Sequence, residues 1–403
     1  MIPVEEARAR ILSAFQPLPA EAVALSEGLG RTLAEDVLAR VTQPREAVSA
    51  MDGYAVRAAD VAHPPTTLTV AGEAPAGGSY DQALQPGEAV RIFTGGPLPH
   101  GADSVVIQEN TEAQEDGQVL IKIGAEPGQF VRPAGLDFRA GDLGIAAGRV
   151  LSARDIGLAA AMNVPWLKVR RRPRIAILST GDELVLPGEP LAAHQQVGSN
   201  APALAAYVSS CGGQATNLGI APDRKDALAA LSEGARGADL LVTTGGASVG
   251  KHDLVQSALS EAGMALDFWK IAMRPGKPLM FGRLGEVPVL GLPGNPVSSL
   301  VCAVLFLGPA IEVMMGRDPN AVPTASAELG NELPANDRRQ DYLRGSFVTQ
   351  DDGRQVVTTA VRQDSSMLAT LAHADCLVVR PPFAPPAQAG ERVEIVLLKD
   401  GVC

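Results

Sequence analysis

Aromatic residues are scarce in this chain, at 4%, too few for a platform that stacks nucleobases. Positive charge is also in deficit: 34 lysines and arginines face 45 aspartates and glutamates, a formal net charge of −11. That balance disfavours a general nucleic-acid or anionic-membrane binder, but not an anionic small molecule met by locally focused basic residues. The four cysteines, Cys211, Cys302, Cys376 and Cys403, form no CxxC pair, and the five histidines fit no cluster, so zinc is not indicated. Reduced thiols in a cytoplasmic protein are expected, with Cys211 and Cys302 as core thiols. The opening MIPVEEARARIL is acidic and amphipathic and lacks the basic segment and apolar core of a signal peptide. Neither GxGxxG nor GxxxxGKS/T occurs, which weakens an NAD-type or P-loop reading. One apolar run, VSSLVCAVLFLGPAIEVMM (297–315), is long enough to cross a membrane. Glu312 and Pro309 lie inside it and Gly294-Asn295-Pro296 open it, so a buried helix over a sheet is expected instead.

What is present points to several domains. At 403 residues the chain is too long for one, and its 46% hydrophobic content is ample for more than one core. Val4, Ile11, Leu12 and Phe15 share a face at helical spacing, and a second helix is expected over LGRTLAEDVLAR (29–40). Between about 65 and 150, short β-like runs (TLTVAG, AVRIFTGG, SVVIQEN, QVLIKIG) are divided by Gly, Pro and an Asp116-Gly117 turn. Residues 151–165 return to helix, and RRRP (170–173) reads as a junction. Beyond it the rhythm is strand, loop, helix: RIAILST, TNLGI, DLLVTT and PVLGL each precede a polar loop and an amphipathic segment. Nearly all-apolar strands in βα units predict a parallel sheet covered on both faces. From about 318, a hairpin around Asp352-Gly353 and the runs CLVVRPP and RVEIVLL predict a small β-barrel or sandwich.

In an open α/β sheet, ligands bind beyond the carboxyl ends of the strands. The loops there are STGDEL, APD, TTGGASVGKHD and LPGNP, with PGKP in the same half. Gly245 and Gly246 permit a tight turn and close backbone approach, suited to a phosphate at the following helix start. Asp253 is either an N-cap or a ligand of Mg²⁺. The same two readings apply to Asp182, Glu183 and Asp223, but four acids on one edge would repel each other without a cation or donor-rich ligand. Lys270, Arg274 and Lys277 lie around a Pro-Gly turn, either as a solvated loop or as an oxyanion clamp. Together these features suit a phosphorylated ligand bound with Mg²⁺.

STGDEL, Ser199-Asn200, TTGGASVGxxD, RPGKP and GLPGNPVSS occur here in an order and spacing that resemble the molybdopterin molybdenumtransferase family, the gephyrin E-domain group of molybdenum-cofactor biosynthesis. MDGYA (51–55), IFTGGPLP (92–99), RPAGLDF (132–138) and YLRG (342–345) extend the likeness over nearly the whole chain. The resemblance implies a multidomain α/β plus β protein. Its parts would be an N-terminal helical/linking domain (1–45, completed by 139–170), an inserted β-rich domain (46–138), a three-layer α/β/α molybdopterin-binding domain with a mostly parallel sheet (171–318) and a C-terminal β-barrel (319–403). It implies a homodimer whose active site lies between the α/β domain of one subunit and the inserted domain of the other. The implied reaction inserts molybdate into adenylylated molybdopterin with Mg²⁺, releasing AMP and molybdenum cofactor. A molybdopterin adenylyltransferase and cofactor-receiving proteins are the implied partners; neither nucleic acid nor membrane is.

The resemblance also assigns residues. Thr180, Gly181, Asp182, Ser199, Asn200, Gly245, Gly246, Ser248, Pro278, Pro293, Asn295 and Pro296 would bind the adenylylated pterin. Asp253, with Glu183 or Asp223, would hold Mg²⁺, and Lys270 would act beside them. Arg274, Lys277, Arg344 and Ser365 match the molybdate site, where Arg and Lys give charge-assisted hydrogen bonds. Asp52, Thr94 and Asp137 would reach in from the partner subunit. Each also has a plain reading: Asp52 a turn residue, Thr94 a strand-end hydroxyl, Arg344 a surface ion pair with Asp341 or Asp337, Ser365 the cap of a helix over SMLATLAHA. Arg274 stands where the family usually has Lys, which keeps the charge but changes reach and planarity and leaves molybdate against tungstate open. A nucleotide pyrophosphatase or pterin adenylyltransferase would need only the α/β domain, and a scaffold protein would not need the acidic and basic site residues.

Overall fold

The computed structural model describes residues 1–75, 77–245, 254–261, 263–320 and 324–398. Its contacts divide the chain into two compact units, Met1–Glu21 with Arg170–Cys403, and Ala22–Val169.

The first unit is built on a six-stranded sheet in the order Gln214–Ala221, Arg174–Thr180, Leu240–Thr244, Val287–Leu292, Met280–Leu284, Met264–Trp269. The first four strands are parallel, as the apolar runs predicted, and each has a helix after it before any further strand of this sheet; after Arg174–Thr180 a short strand pair, Leu184–Val185 with Gln196–Val197, comes before that helix. Leu240–Thr244 is buried at every position, which explains why its sequence shows no alternation. The last two strands are antiparallel and were not foreseen. The amphipathic helix Val4–Ser13 packs Val4, Ala7 and Ile11 into the same core. The apolar run forms one continuous helical stretch, Pro296–Met314. It is long and apolar enough to cross a membrane by length and composition, but 78% of it is buried in the fold. A π-turn over Ala303–Leu307 ends just before Pro309, whose ring and missing N–H break the regular ladder.

The same unit contains a closed five-stranded barrel: Gln340–Thr349, Gln355–Thr359, Thr324–Leu329, Arg392–Leu397 and Cys376–Arg380, the last closing on the first. The predicted hairpin turns at Gly353, with φ 82°. A short strand, Met273–Arg274, adds to this barrel parallel to Gln340–Asp341, carrying part of the RPGKP loop onto it.

The second unit holds a mixed six-stranded sheet, Ser104–Ile107, Gly53–Val56, Glu88–Ile92, Thr66–Ala74, Gln118–Ile121, Thr111–Ala113. All four β-like runs lie in it, and Asp116 and Gly117 turn its last hairpin with φ of 66° and 71°. A separate apolar cluster gathers around the helix Ala153–Ala161, which Ser152 and Asp155 cap reciprocally.

Two expectations are corrected. The helix over 29–40 does not form: Thr32 bridges to Val150, Leu33 to Val169, and Val37–Leu38 pairs with Leu143–Ile145. Pairing with distant strands overrides a composition that suits a helix, and Gly30 at φ 71° would break one. Cys211 is buried as expected but is disulfide-bonded rather than a reduced thiol. Without paired spacing, nothing in the sequence signals a bridge closed by the fold. Cys302 and Cys376 are free and buried.

Candidate functional site

The four parallel strands end on one edge, and their loops carry most of the candidate residues. Gly245 follows Leu240–Thr244 with φ 99°, and a Cβ there would lie 2.2 Å from the Thr180 carbonyl oxygen. Glycine is therefore required on both conformational and steric grounds. Asn200 opens the helix Asn200–Ser210 and donates through Nδ2 to Thr244 Oγ1 and to the Gly294 carbonyl, both at 2.7 Å. One amide thus ties together a helix start and two strand ends. Thr244 Oγ1 in turn lies 3.3 Å from the Pro293 carbonyl oxygen. Ser199 precedes the helix without capping it through its side chain. Thr180 Oγ1 is buried and has no hydrogen-bond partner among the described residues.

Beside this loop is an acidic corner. The Asp223 N–H donates to Asp182 Oδ1 at 3.0 Å. The Glu183 carboxylate folds over Gly181, where an added Cβ would meet Oε2 at 2.6 Å. Asp223 Oδ1 is buried without a partner among the described residues. Burial, followed by the charges of Asp182 and Glu183, pushes the Asp223 carboxyl above its ordinary range. Among the described residues no three acidic, His or Cys side chains form a complete metal cage. The hard oxygen donors and the unpartnered Oδ1 still fit Mg²⁺, which commonly takes one or two carboxylates and completes its shell with water and substrate phosphate. Gly246, Ser248 and Asp253 lie outside the described residues.

The basic candidates differ in how their charge is met. Arg274 is held by Asp341: Nε lies 2.9 and 3.0 Å from the carboxylate oxygens, and Nη2 contacts Oδ2. Asp341 is 4% exposed, and burial keeps its pKa raised despite the guanidinium. Lys270 rests its ammonium 3.5 Å from the Trp269 ring centroid, a cation–π contact. Lys277 is half-buried beside Pro278, and its ammonium forms no ion pair among the described residues.

Arg344 is only 2% exposed, yet no described carboxylate lies within ion-pair distance of it. It pairs with neither Asp341 nor Asp337. Its Nε donates to Gln363 Oε1 at 3.1 Å, Nη1 to the Met367 carbonyl at 3.2 Å and Nη2 to the Arg362 carbonyl at 3.4 Å. Segment 362–367 therefore surrounds the guanidinium. Within that segment, Ser365 Oγ accepts from Asn295 Nδ2 at 2.9 Å, and the Ser365 carbonyl accepts from the Val297 N–H at 3.2 Å. Ser365 is thus a link to the GNP loop, not the cap of Leu368–Ala372, and Pro296 begins the adjoining helix. A cavity of about 470 Å³ is lined by Arg274, Asp341, Gln363 and Arg380 among others, so Arg274 and the holder of Arg344 share a wall.

In the second unit, Asp52 and Thr94 meet. Asp52 Oδ1 accepts from the Thr94 N–H at 2.7 Å and from its hydroxyl at 2.8 Å, while Oδ2 has no partner among the described residues. The Thr94 backbone, then its hydroxyl, holds the Asp52 carboxyl below the ordinary range, with a smaller contribution from Arg91. Arg91 lies between the Tyr54 and Phe93 rings and donates to the Gly53 carbonyl at 3.1 Å. Asp137 is exposed in the following loop, its N–H bonded to the Gln43 carbonyl at 3.0 Å. Thr244, Asp341 and Gln363 were not anticipated. Thr244 lies inside the quoted TTGGASVGKHD loop, Asp341 directly before YLRG and Gln363 two residues before Ser365.

Residues 2–163 match the MoeA N-terminal region (domain I and II), 176–313 a probable molybdopterin binding domain and 326–398 the MoeA C-terminal region (domain IV). A protein of a Nostoc species called molybdopterin molybdenumtransferase is 39% identical, over 94% of this chain and 88% of its own length. A Haemophilus influenzae protein of the same name is 34% identical over 98% of both. Two structures of molybdopterin biosynthesis MoeA proteins from Pyrococcus horikoshii cover 99% of the chain and 100% of their own. They give TM-scores of 0.87 and 0.80 at 32% and 26% identity.

Proposed function

The chain belongs to the MoeA family, the molybdopterin molybdenumtransferases, and from that premise we propose how its residues insert molybdenum into molybdopterin. The substrates are molybdate and adenylylated molybdopterin, and the products are AMP and molybdenum cofactor. The observation that carries this reading is Arg344, a buried guanidinium without a described carboxylate, enclosed by segment 362–367, which is bonded to the loop at the sheet's carboxyl edge. A buried cation is stable when an anion meets it, and a tetrahedral dianion accepts the donors that Met367, Arg362 and Gln363 leave unused.

Arg344, Lys277 and Ser365 bind molybdate, with Arg274 at the rim already shared with Asp341. The Gly245 turn, Thr180, Asn200 and the loop that includes Gly246 and Ser248 hold the pyrophosphate linkage. Asp182 and the proline-bearing turns at Pro278, Pro293 and Pro296 shape the pocket around it, with Lys270 opposite. Glu183 and Asp223, joined by Asp253, would hold Mg²⁺, whose charge offsets the phosphates as the linkage breaks. Asp52, fixed through Oδ1 by Thr94, offers Oδ2 to orient water or the dithiolene end, and Asp137 assists. These three come from the partner subunit of a homodimer. The protein works in the cytoplasm, between an adenylyltransferase that makes its substrate and apoenzymes that take its product.

The test is AMP release from adenylylated molybdopterin, with and without molybdate and Mg²⁺. Release that requires both supports the whole reading. Release without molybdate makes the site a pyrophosphatase, and release undiminished by chelation removes the Mg²⁺ assignment.

A further inference from the structure

Two arginines of one unit are held in opposite ways. Arg274 has the Asp341 carboxylate, which cancels its charge. Arg344 has the Gln363 amide: Oε1 accepts from the Arg344 N–H at 3.0 Å and from Nε at 3.1 Å. Nε2 returns hydrogen bonds to the Arg344 carbonyl at 3.0 Å and the Ala360 carbonyl at 2.9 Å. These four bonds fix the amide's orientation, since a flipped amide would set N–H against N–H twice. The other contacts to the guanidinium are main-chain carbonyls, also neutral. Asp364, next in sequence, acts on Arg344 only at a distance. Its Oδ1 is bonded to the Ser366 N–H at 2.8 Å and hydroxyl at 2.6 Å.

We propose that Gln363 is a positioning residue of the oxyanion site: it fixes the Arg344 guanidinium without neutralising it, which reserves the full positive charge for molybdate. This rests on the reading that Arg344 binds molybdate. A glutamate has the same length and would accept the same two hydrogen bonds, but would form an internal ion pair and, while ionised, lose the two bonds to the Arg344 and Ala360 carbonyls. The guanidinium's donors on Nη1 and Nη2 that make no bond to Met367 or Arg362 would then face the dianion beside a competing negative charge.

The test uses the full-length protein and three substitutions, Gln363→Glu, Gln363→Leu and Arg344→Gln. Molybdate and adenylylated molybdopterin are titrated separately in the AMP-release assay, and melting temperatures are recorded. Gln363→Glu is expected to raise the half-saturating molybdate concentration by about tenfold or more, as a mispaired buried charge does. The half-saturating pterin concentration should stay within about twofold, since that substrate's phosphates lie elsewhere in the proposed site. The molybdate penalty should shrink as pH falls and the introduced carboxyl protonates, a dependence that a merely structural role does not produce. Gln363→Leu, neutral but unable to orient the guanidinium, should raise the molybdate requirement without that pH dependence. If Arg344→Gln impairs molybdate use while both Gln363 substitutions leave it unchanged, the role of Gln363 is overturned. If all three leave it unchanged, the assignment of Arg344 itself fails.

Discussion

Replacing Gly245 with alanine tests whether the phosphate loop is built as described. The perturbation has two parts. At φ 99° an L-residue is strained, which costs about 1–2 kcal/mol. The new methyl carbon would also lie 2.2 Å from the Thr180 carbonyl oxygen and 2.9 Å from its hydroxyl. Both atoms belong to a strand buried along its length, so relief requires the strand end or the loop to shift, an overpacking cost of about 1–3 kcal/mol. The sum is roughly 2–5 kcal/mol, or a fall of about 5–15 °C in melting temperature for a unit of this size. Gly181→Ala provides the contrast. At φ 145° it shares the backbone strain, but its methyl would meet the Glu183 carboxylate at 2.6 Å, the free end of a flexible side chain that can swing away. That variant should melt higher than Gly245→Ala but, if Glu183 belongs to the proposed cation site, need more Mg²⁺ for AMP release, because Glu183 is displaced. Thermal unfolding by circular dichroism and AMP release are the two assays. An alanine at 245 that melts within about 2 °C of the parent and keeps full turnover would refute the close approach of the two strand ends.

Other outcomes follow from the charges. Thr94→Val removes a hydroxyl donor that holds the Asp52 carboxyl low, so its pKa rises and the acid limb of the AMP-release profile should move to higher pH; an unmoved limb would show that Asp52 does not titrate in turnover. Asp223 titrates above the ordinary range, so its contribution to stability improves as pH falls through that raised value and is unfavourable above it. Asp223→Asn should therefore melt at or above the parent temperature at neutral pH without Mg²⁺ and gain less from added Mg²⁺. Equal Mg²⁺ stabilisation of both proteins would remove Asp223 from the cation site. Co-expressing Asp52→Ala and Arg344→Gln chains should recover about a quarter of parental activity if each site draws on two subunits, because half the dimers are mixed and each has one intact site. No recovery would place all these residues in one subunit's own site.

The sequence revealed the fold where burial imposes a pattern on it. RIAILST, DLLVTT and PVLGL are nearly all apolar or small because the sheet is covered on both faces, and their loops must then share one edge. MALDFW and MFGRL sit at the antiparallel side of that sheet. MALDFW exposes three of its six residues, so its run is interrupted and lacks that signal. LGRTLAEDVLAR failed for another reason: its partners lie more than a hundred residues away, and no local feature announces them. The acidic corner was legible because TGDEL and APD follow strands directly. The pairing of Arg274 with Asp341 was not, because it depends on a two-residue strand joining the barrel.

That pairing changes how the basic residues are weighed. From sequence, Arg274, Lys277 and Arg344 are equivalent cations, and Arg344 has acidic neighbours in sequence at Asp337 and Asp341. In the fold the carboxylates go to Arg274, which is 49% exposed on its side chain and least in need of them. Arg344, nearly sealed from solvent, receives only neutral acceptors among the described residues. A fold shaped for stability alone would place the carboxylate on the buried guanidinium, where an uncompensated charge costs several kcal/mol, and leave the exposed one to water. The reverse arrangement leaves the deep charge unspent until an anion enters. On the proposed reading, Arg274, whose charge is already met, is a wall of the cavity and not the principal anion ligand. Its difference from the family's usual lysine should therefore matter less for the choice between molybdate and tungstate than the neutrality of the groups around Arg344.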